Sequence, residues 1–432
     1  MASLLLRVFF CLAVFVWFIF FFFTFCSLSS CMNSDSEDEV EAAEADKDDL
    51  ARCISELTTT LRHLRKDPSL YLEFGLELEI SLLELQREAQ CHVLYKPYDF
   101  HSLDHIFLCR FNAHEITRMA SVLLPETVSH PNRRRRVSCD GRQALCVVLA
   151  RLASPDRWKS LRVNFGGKSV TWLSGIYHST LDLLYEHAKK ELWTFSSNLV
   201  EEIPGFVAAC QDRFGFNAWG FMDGNHADVS RPSAEQRAFY SGYEGHHLLR
   251  ALAIVRCDGM FECAFGPFPG SGSDLSMFND TKMEDKLRNL HQLVSATHFL
   301  LPSEQVCILA DSIFTCSVDI VTPYDYGDLK KNLAPGALPG ALSERMRRKF
   351  FNLVHSGTRI AVEWGFGRCL NNWRALSYKA AMKVHHTSPE KAMLVSMFLT
   401  NFIVAARGAQ HEDYFGVNAM SFEEYLMKIA NL

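Results

Sequence analysis

The stretch Trp219–Asn225, WGFMDGN, is a short apolar run with one carboxylate, Asp223, at its end. Such a run predicts a buried strand, and the turn formers Gly224 and Asn225 predict that this strand ends at Asp223. An acid at the end of a strand points out of the sheet edge, where a cation can reach it. The stretch therefore predicts both a sheet and the first residue of a cation site.

Two later stretches carry acids in comparable positions. Gln305–Asp311, QVCILAD, is a second apolar run that ends in an acid, and Arg359–Gly367, RIAVEWGFG, places Glu363 in a predicted amphipathic helix. An α/β sheet can gather such distant residues at one end of its strands. Three carboxylates brought together repel one another unless divalent cations neutralise them, and Mg²⁺ prefers oxygen ligands. The sequence thus predicts a divalent metal site.

Six landmarks in a fixed order give a resemblance to a known family. They are DGNH (223–226), FYSG followed by histidines (239–247), an apolar strand ending in DG (258–259), PGSGSD (269–274), LAD (309–311) and RIAVEWGFG (359–367). From about Trp219 to Arg407, the chain resembles the DDE endonuclease domain of Harbinger-type transposases. The resemblance implies an RNase H-like mixed sheet flanked by helices, with Asp223, Asp311 and Glu363 as the catalytic, metal-binding triad.

The same resemblance implies a chemistry and a set of partners. In two-metal phosphodiester cleavage, two Mg²⁺ ions about 3.5–4 Å apart align the attacking water and stabilise the leaving 3′ oxygen. Asp223 is then expected to bridge both ions, with Asp311 completing one site and Glu363 the other; Mn²⁺ is the alternative ion. Asp274 is a further candidate metal ligand, and a loop-capping role is equally open to it. The implied partners are DNA and a separate Myb-like DNA-binding protein, and the implied location is the nucleus. A homo-oligomer stays open, because the sequence does not determine the oligomeric state.

Composition sets limits on the protein class. The chain has 432 residues, 48% of them hydrophobic, which is enough for two or three domains with sizeable cores. Its net charge of −6 means that any DNA contact has to come from local basic patches. The 14 cysteines include no CxxC pair, so we expect reduced thiols packed in the core rather than zinc sites or disulfides.

The first 31 residues do not resemble the start of a nuclear enzyme. Residues 8–26 are uncharged and include FIFFFF, and about 20 apolar residues are enough to span a membrane. Three interpretations stay open: a membrane anchor, a cleaved signal peptide with an unusually long apolar core, or a false start ahead of Met32. The acidic segment 32–50 is expected to be a disordered linker.

A helical region is predicted for residues 51–200, with a helix-turn-helix-like unit at 138–192. Its expected helices are 141–152, 157–164 and 169–192, with a glycine-containing turn before the third. A structural three-helix unit with a solvated basic loop is the alternative. Basic residues around this unit are the predicted DNA contacts: Arg133, Arg134, Arg135, Arg136, Lys159, Arg162 and Lys168.

Proline and glycine at 201–205 predict the end of the helical pattern, and a DDE endonuclease domain is assigned to residues 205–410. A C-terminal tail, 411–432, follows. The expected strands are 217–223, 246–257, 260–267 and 305–311, with Asp258 and Gly259 as a hairpin turn. The predicted fold is therefore α/β: a mixed sheet flanked by helices, preceded by an all-helical region.

The function expected from these features is metal-dependent cleavage of DNA. Two alternatives remain: a domesticated, catalytically silent DNA-binding or scaffold protein, and a membrane-anchored protein that inherited the fold. The intact acids at 223, 311 and 363 favour the nuclease, because a scaffold does not need them.

Overall fold

The computed structural model describes residues 52, 54–68, 71–94, 98–131, 137–301, 304–325 and 339–431. Three predicted features lie outside these residues: the hydrophobic segment 8–26, the acidic segment 32–50, and the basic run Arg133 to Arg136. Within the described part of the chain, no helix is both long enough and apolar enough to cross a membrane.

The chain divides into two compact units, which we describe separately. The first takes its described residues from Met1–Asp99, Pro131–Val137 and Arg162–Val170. It contains a helix at 54–64, a π-helical turn at Tyr71–Gly75 and helix α1 at Leu76–Leu94.

The second unit comprises Phe100–His130, Ser138–Leu161 and Thr171–Leu432. It takes in most of the predicted helical region together with the sheet. The predicted all-helical character of residues 51–200 is wrong in one respect, because strands β1 (Thr127–His130) and β2 (Val137–Asp140) form a two-stranded sheet. The helices along this part of the chain are α2 (His105–Cys109), α3 (Ala113–Leu123), α4 (Gly141–Ala153), α5 (Trp158–Leu161), α6 (Val170–Leu192) and α7 (Leu199–Phe214).

The predicted helix-turn-helix-like unit has its first and third helices close to the expected positions, but its second helix is shorter. α5 is a single turn, and a 3₁₀ turn follows at Arg162–Phe165. Arg162 stabilises the turn that follows this short helical segment. Its guanidinium donates hydrogen bonds to the carbonyls of Gly167, at 2.8 Å, and Lys168, at 3.0 Å. Gly167 itself has a left-handed backbone, with φ at 74°. DNA recognition by this unit stays a prediction.

The predicted end of the helical pattern at 201–205 is also wrong, because α7 continues through Pro204. Proline has no N–H to donate to the carbonyl four residues earlier, which here is that of Val200. The His298 ring lies 3.0 Å from that carbonyl oxygen through its Nε2 and replaces the missing donor. A side chain distant in sequence therefore keeps the helix intact.

The main sheet has six strands. Five of them follow the order β4-β5-β3-β7-β8, and the sixth, β6, also pairs with β5. β5 is antiparallel to β3, β4 and β6, whereas β7 is parallel to both β3 and β8. All four predicted strands are present, and Asp258 and Gly259 form the expected turn between β5 and β6. The strands are β3 (Ala218–Asp228), β4 (Tyr240–Ser241), β5 (His246–Arg256), β6 (Phe261–Pro269), β7 (Cys307–Leu309) and β8 (Ile320–Val321).

The sequence predicted that β3 ends at Asp223. This prediction is wrong, because β3 continues to Asp228. The pairing with β5 is unbroken from Gly220 opposite Arg256 to Asp228 opposite Leu248. Gly224 and Asn225 are therefore strand residues and not a turn. Successive side chains from Gly220 to Asp228 alternate between the two faces of the sheet.

Helices cover the sheet and complete the second unit. Helix α12 protects strand β6, because the Asn401 side chain accepts a hydrogen bond from the Phe261 N–H at 2.8 Å and donates one to the Phe261 carbonyl at 2.9 Å. None of the nine cysteines whose side chains are described forms a disulfide, and seven of them are buried, as expected for reduced thiols in the core. The remaining helices are α8 (Gln236–Phe239), α9 (Asp274–Asp280), α10 (Met283–His298), α11 (Pro339–Asn372), α12 (Pro389–Arg407), α13 (Gln410–Phe415) and α14 (Phe422–Ala430).

Candidate functional site

Asp223 and Asp311 are neighbours because of the register between two parallel strands. Phe221 on β3 lies opposite Leu309 on β7, and each acid follows two residues later in its own chain segment. Adjacent strands are about 4.8 Å apart, so the backbones that carry the two acids are close. Burial is the main cause that raises the pKa of Asp223, and the negative charge of Asp311 adds to it.

Asp223 is mostly buried, and burial is the main reason why its pKa lies above the ordinary aspartate value. Two contacts oppose this effect. The guanidinium of Arg359 lies 2.7 Å from one carboxylate oxygen, and the N–H of Gly224 donates to the other at 2.9 Å. Burial outweighs these two contacts, so the pKa of Asp223 is raised overall.

Glu363 lies one helical turn after Arg359 on α11, and its side chain is 60% exposed. The Arg359 guanidinium is 3.7 Å from the Glu363 carboxylate, so one arginine contacts two of the three predicted acids. The structure therefore arranges Asp223 and Glu363 around a positive charge supplied by the chain itself. α11 approaches the sheet closely at Gly365, where an added Cβ would lie 2.9 Å from Val255.

The three acids provide the hard oxygen donors that Mg²⁺ and Mn²⁺ prefer. Asp223 and Asp311 stand at the ends of neighbouring parallel segments, and Arg359 is the positive charge in contact with Asp223. The residues present therefore fit a divalent metal. The three carboxylates are nevertheless not gathered within 4.8 Å of one another; among the described residues, only a separate histidine–aspartate group meets that criterion.

His355 is a buried residue beside this site that the sequence did not single out. Its Nε2 lies 3.0 Å from the Val321 carbonyl oxygen at the end of β8, and α11 brings it one turn before Arg359. Burial, followed by the nearby Arg359 charge, lowers the pKa of His355 and keeps the ring neutral. The charge of Asp311 acts in the opposite direction, which places this histidine within electrostatic reach of the acids.

Asp274 occupies a different position from the other three acids. It is the first residue of α9, and its carboxylate lies against Gly224, where an added Cβ would be 2.5 Å from the carboxyl carbon. Since Asp223 and Gly224 alternate along β3, Asp274 lies on the sheet face opposite to the side chain of Asp223. Its partner there is Arg250, at 3.3 Å.

A second group of potential ligands lies further along β3. His226, Asp228 and His246 each offer one ligand atom, and these atoms all lie within 4.8 Å of one another. We refer to these three residues as the His–Asp cluster. The sequence analysis assigned these residues no common site, because it is the pairing of β3 with β5 that brings all three together.

The predicted DNA contacts are spread over the chain. Lys159 is exposed on α5, whereas Arg162 and Lys168 are half-buried at the turn that Arg162 closes. The sequence did not predict a basic cleft of about 510 Å³ beyond the end of β3. It has no acidic residue in its lining, which suits a phosphate; the lining is Ser230, Arg231, Pro232, Ser233, Lys383, Val384, His386 and Thr387.

Comparison with known proteins gives one match. Residues 222–401, less than half of the chain, match the model of a family described as DDE superfamily endonuclease. The matched segment includes Asp223, Asp311 and Glu363. Searches of curated proteins and of solved structures found no significant match.

Proposed function

We propose that this protein is a divalent-metal-dependent DNA endonuclease, related to transposases of the DDE superfamily. The observation that carries the proposal is the parallel register that sets Asp223 beside Asp311, with Arg359 contacting both Asp223 and Glu363. The match of residues 222–401 to a DDE endonuclease family supports DNA as the substrate.

The strand order supports an RNase H-like fold for the sheet. Three antiparallel strands, β6-β5-β3, are followed by two strands that run parallel to β3, and the first two acids lie on or just after β3 and β7. A helix packed across this face supplies the third acid. The narrower Harbinger assignment rests on the six sequence landmarks, and a nuclear location and a Myb-like partner are parts of the same proposal.

Hydrolysis of a phosphodiester requires attack of water on phosphorus while the bond to the 3′ oxygen breaks. Asp223, Asp311 and Glu363 would hold the divalent ion or ions, Mg²⁺ or Mn²⁺, which supply charge stabilisation and a water of lowered pKa when bound. Arg359 orients the Asp223 carboxylate and can release it towards a cation or turn to a phosphate oxygen. His355, held neutral in the core, fixes α11 against the end of β8.

DNA binding is assigned to basic residues outside the three acids. Arg231, Lys383 and His386 of the basic cleft are suited to the phosphate backbone, together with Lys159 and Lys168. Arg162 is a weaker candidate than the sequence suggested, since its guanidinium donates to its own turn. Such contacts make binding strongly dependent on salt.

The test is a comparison of the parent chain with Asp223→Asn on one DNA duplex in the presence of Mg²⁺. The substitution preserves side-chain size but removes the charge that the cations would share, so we expect nicking to fall by orders of magnitude and DNA binding to persist. Asp212→Asn, an exposed acid on α7, is the matched control and should cut normally. Equal cleavage by the parent and Asp223→Asn removes Asp223 from the mechanism, and DNA binding without cleavage by either favours a domesticated scaffold.

A further inference from the structure

The His–Asp cluster is built by two paired strands. His226 and Asp228 are alternate residues of β3 and therefore project from the same face. Their direct partners on β5 are Arg250 and Leu248, and His246 is the next residue along β5 on that face. The register of the sheet thus brings two imidazoles and one carboxylate together at the end of β3.

The orientation of His246 is fixed by a backbone contact. Its Nδ1 lies 2.8 Å from the Glu244 carbonyl oxygen, which can only accept a hydrogen bond, so Nδ1 carries a proton. A carbonyl partner of this kind directs the lone pair of the other ring nitrogen towards a metal in many metal-binding histidines. Here Nε2 lies 2.6 Å from a carboxylate oxygen of Asp228.

With the proton on Nδ1, the Nε2 of His246 and the Asp228 oxygen are both acceptors, and they lie 2.6 Å apart. Such a contact requires a positive charge, which is either a cation between the two atoms or a second proton on the ring. The guanidinium of Arg250, which lies on this face, does not supply it, because its contacts are with Gly270, Asp274 and Ser241. The Nε2 of His246, the Asp228 oxygen and a ring nitrogen of His226 therefore surround a position that a cation fits.

We propose that His226, Asp228 and His246 form a transition-metal site of the Zn²⁺ class, separate from the site of the three acids. Two imidazoles and one carboxylate suit Zn²⁺ better than Mg²⁺, which prefers oxygen ligands, and three protein ligands leave a fourth position for water. Donors about 2.0–2.1 Å from a tetrahedral ion lie about 3.3 Å apart, so the Asp228 oxygen has to withdraw by less than about 1 Å.

The two sites lie on opposite faces of β3. Asp223 and His226 are three residues apart, or roughly 10 Å along the strand, and their side chains alternate. A metal ion at the His–Asp cluster links the C-terminal end of β3 to the first residue of β5. It stabilises the end of the central strand without taking part in phosphodiester cleavage.

The test is the binding of Zn²⁺ to the full-length chain, measured by equilibrium dialysis in excess Mg²⁺ and by the visible absorption of added Co²⁺. We expect one ion per chain for the parent, and a loss of affinity of at least about tenfold for His226→Ala and for Asp228→Asn, since even the loss of a hydrogen-bond partner of a ligand costs that much. Zn²⁺ should raise the unfolding temperature of the parent but not of His226→Ala.

Two control variants make the outcome specific. His247→Ala removes the neighbouring histidine, whose ring packs on Tyr240 outside the cluster, and should bind Zn²⁺ as the parent does. Asp223→Asn should also keep the Zn²⁺ affinity of the parent. No stoichiometric Zn²⁺ on the parent, or an unchanged affinity in His226→Ala with a native circular dichroism spectrum, leaves only a His246–Asp228 ion pair and overturns the proposal.

Discussion

Arg359→Met tests the electrostatic balance of the site most directly. The replacement keeps much of the side-chain length but removes the guanidinium that lies 2.7 Å from Asp223. Asp223 then retains only the Gly224 N–H and still faces the charge of Asp311. We therefore expect Arg359→Met to lower the free energy of unfolding at neutral pH in the absence of metal.

The size of the effect follows from how deeply the pair is buried. Exposed ion pairs contribute about 0–1 kcal/mol, whereas removing one partner of a fully buried pair costs about 3–5 kcal/mol. The Arg359 and Asp223 side chains are 18% and 22% exposed, so this pair is intermediate. We expect a loss of about 2 kcal/mol, by interpolation between those two limits.

A double-mutant cycle isolates that interaction. In the Asp223→Asn background, Arg359→Met should cost no more than about 0.5 kcal/mol, as an ordinary surface substitution does, which leaves a coupling energy of about 1.5 kcal/mol. The assay is urea unfolding in EDTA, followed by circular dichroism. Equal costs in the two backgrounds would refute the assigned role of the ion pair.

Adding Mg²⁺ extends the same cycle to the proposed metal site. A cation that binds only the folded chain stabilises it in proportion to its affinity, and it can replace the guanidinium that Arg359→Met lacks. Mg²⁺ should therefore stabilise Arg359→Met more than the parent, and Asp223→Asn least. Equal stabilisation of all three chains would mean that Mg²⁺ binds elsewhere.

Two further predictions concern pH and the proline-containing helix. The raised pKa of Asp223, caused mainly by burial, means that this carboxyl favours folding below its unfolded pKa of about 3.9 and that the benefit is lost as the pH rises through the folded pKa. Asp223→Asn should therefore gain stability relative to the parent as the pH is raised above about 4 in EDTA, and a difference independent of pH would count against this. His298→Ala should cost about 1 kcal/mol, because the Val200 carbonyl loses its donor. The cost should shrink in a Pro204→Ala background, where the restored N–H can donate instead, and urea unfolding of the four chains checks this.

The sequence located the strands well because they are apolar on both faces. The run before Asp223 and the run before Asp311 belong to the buried centre of a sheet, and both are strands as predicted. Their partnership could not be derived from spacing, since the parallel register depends on how the chain between them packs. Arg359 lies one turn before Glu363 on the same helix, and the structure shows that Asp223 is its closer partner.

The errors in the sequence prediction arose where a residue's local preference was overridden by distant contacts. Gly224 predicted a turn, yet it is paired with Leu252 within β3, and the close approach of Asp274 leaves no room for a side chain there. Pro204 predicted a helix end, yet His298 satisfies the carbonyl that the proline leaves open. The alternate spacing of His226 and Asp228 was visible in the sequence, but His246 joins them only through strand pairing.

The contact between Asn401 and Phe261 limits how far the sheet can extend. Strand β6 has β5 on one side, so the outward-facing amide and carbonyl of Phe261 would otherwise offer a template for a strand from another molecule. One carboxamide occupies both groups, in the manner of a neighbouring strand. At the opposite border, β8 is only two residues long. The start of β6 at Phe261 is therefore closed to pairing with a strand from another molecule.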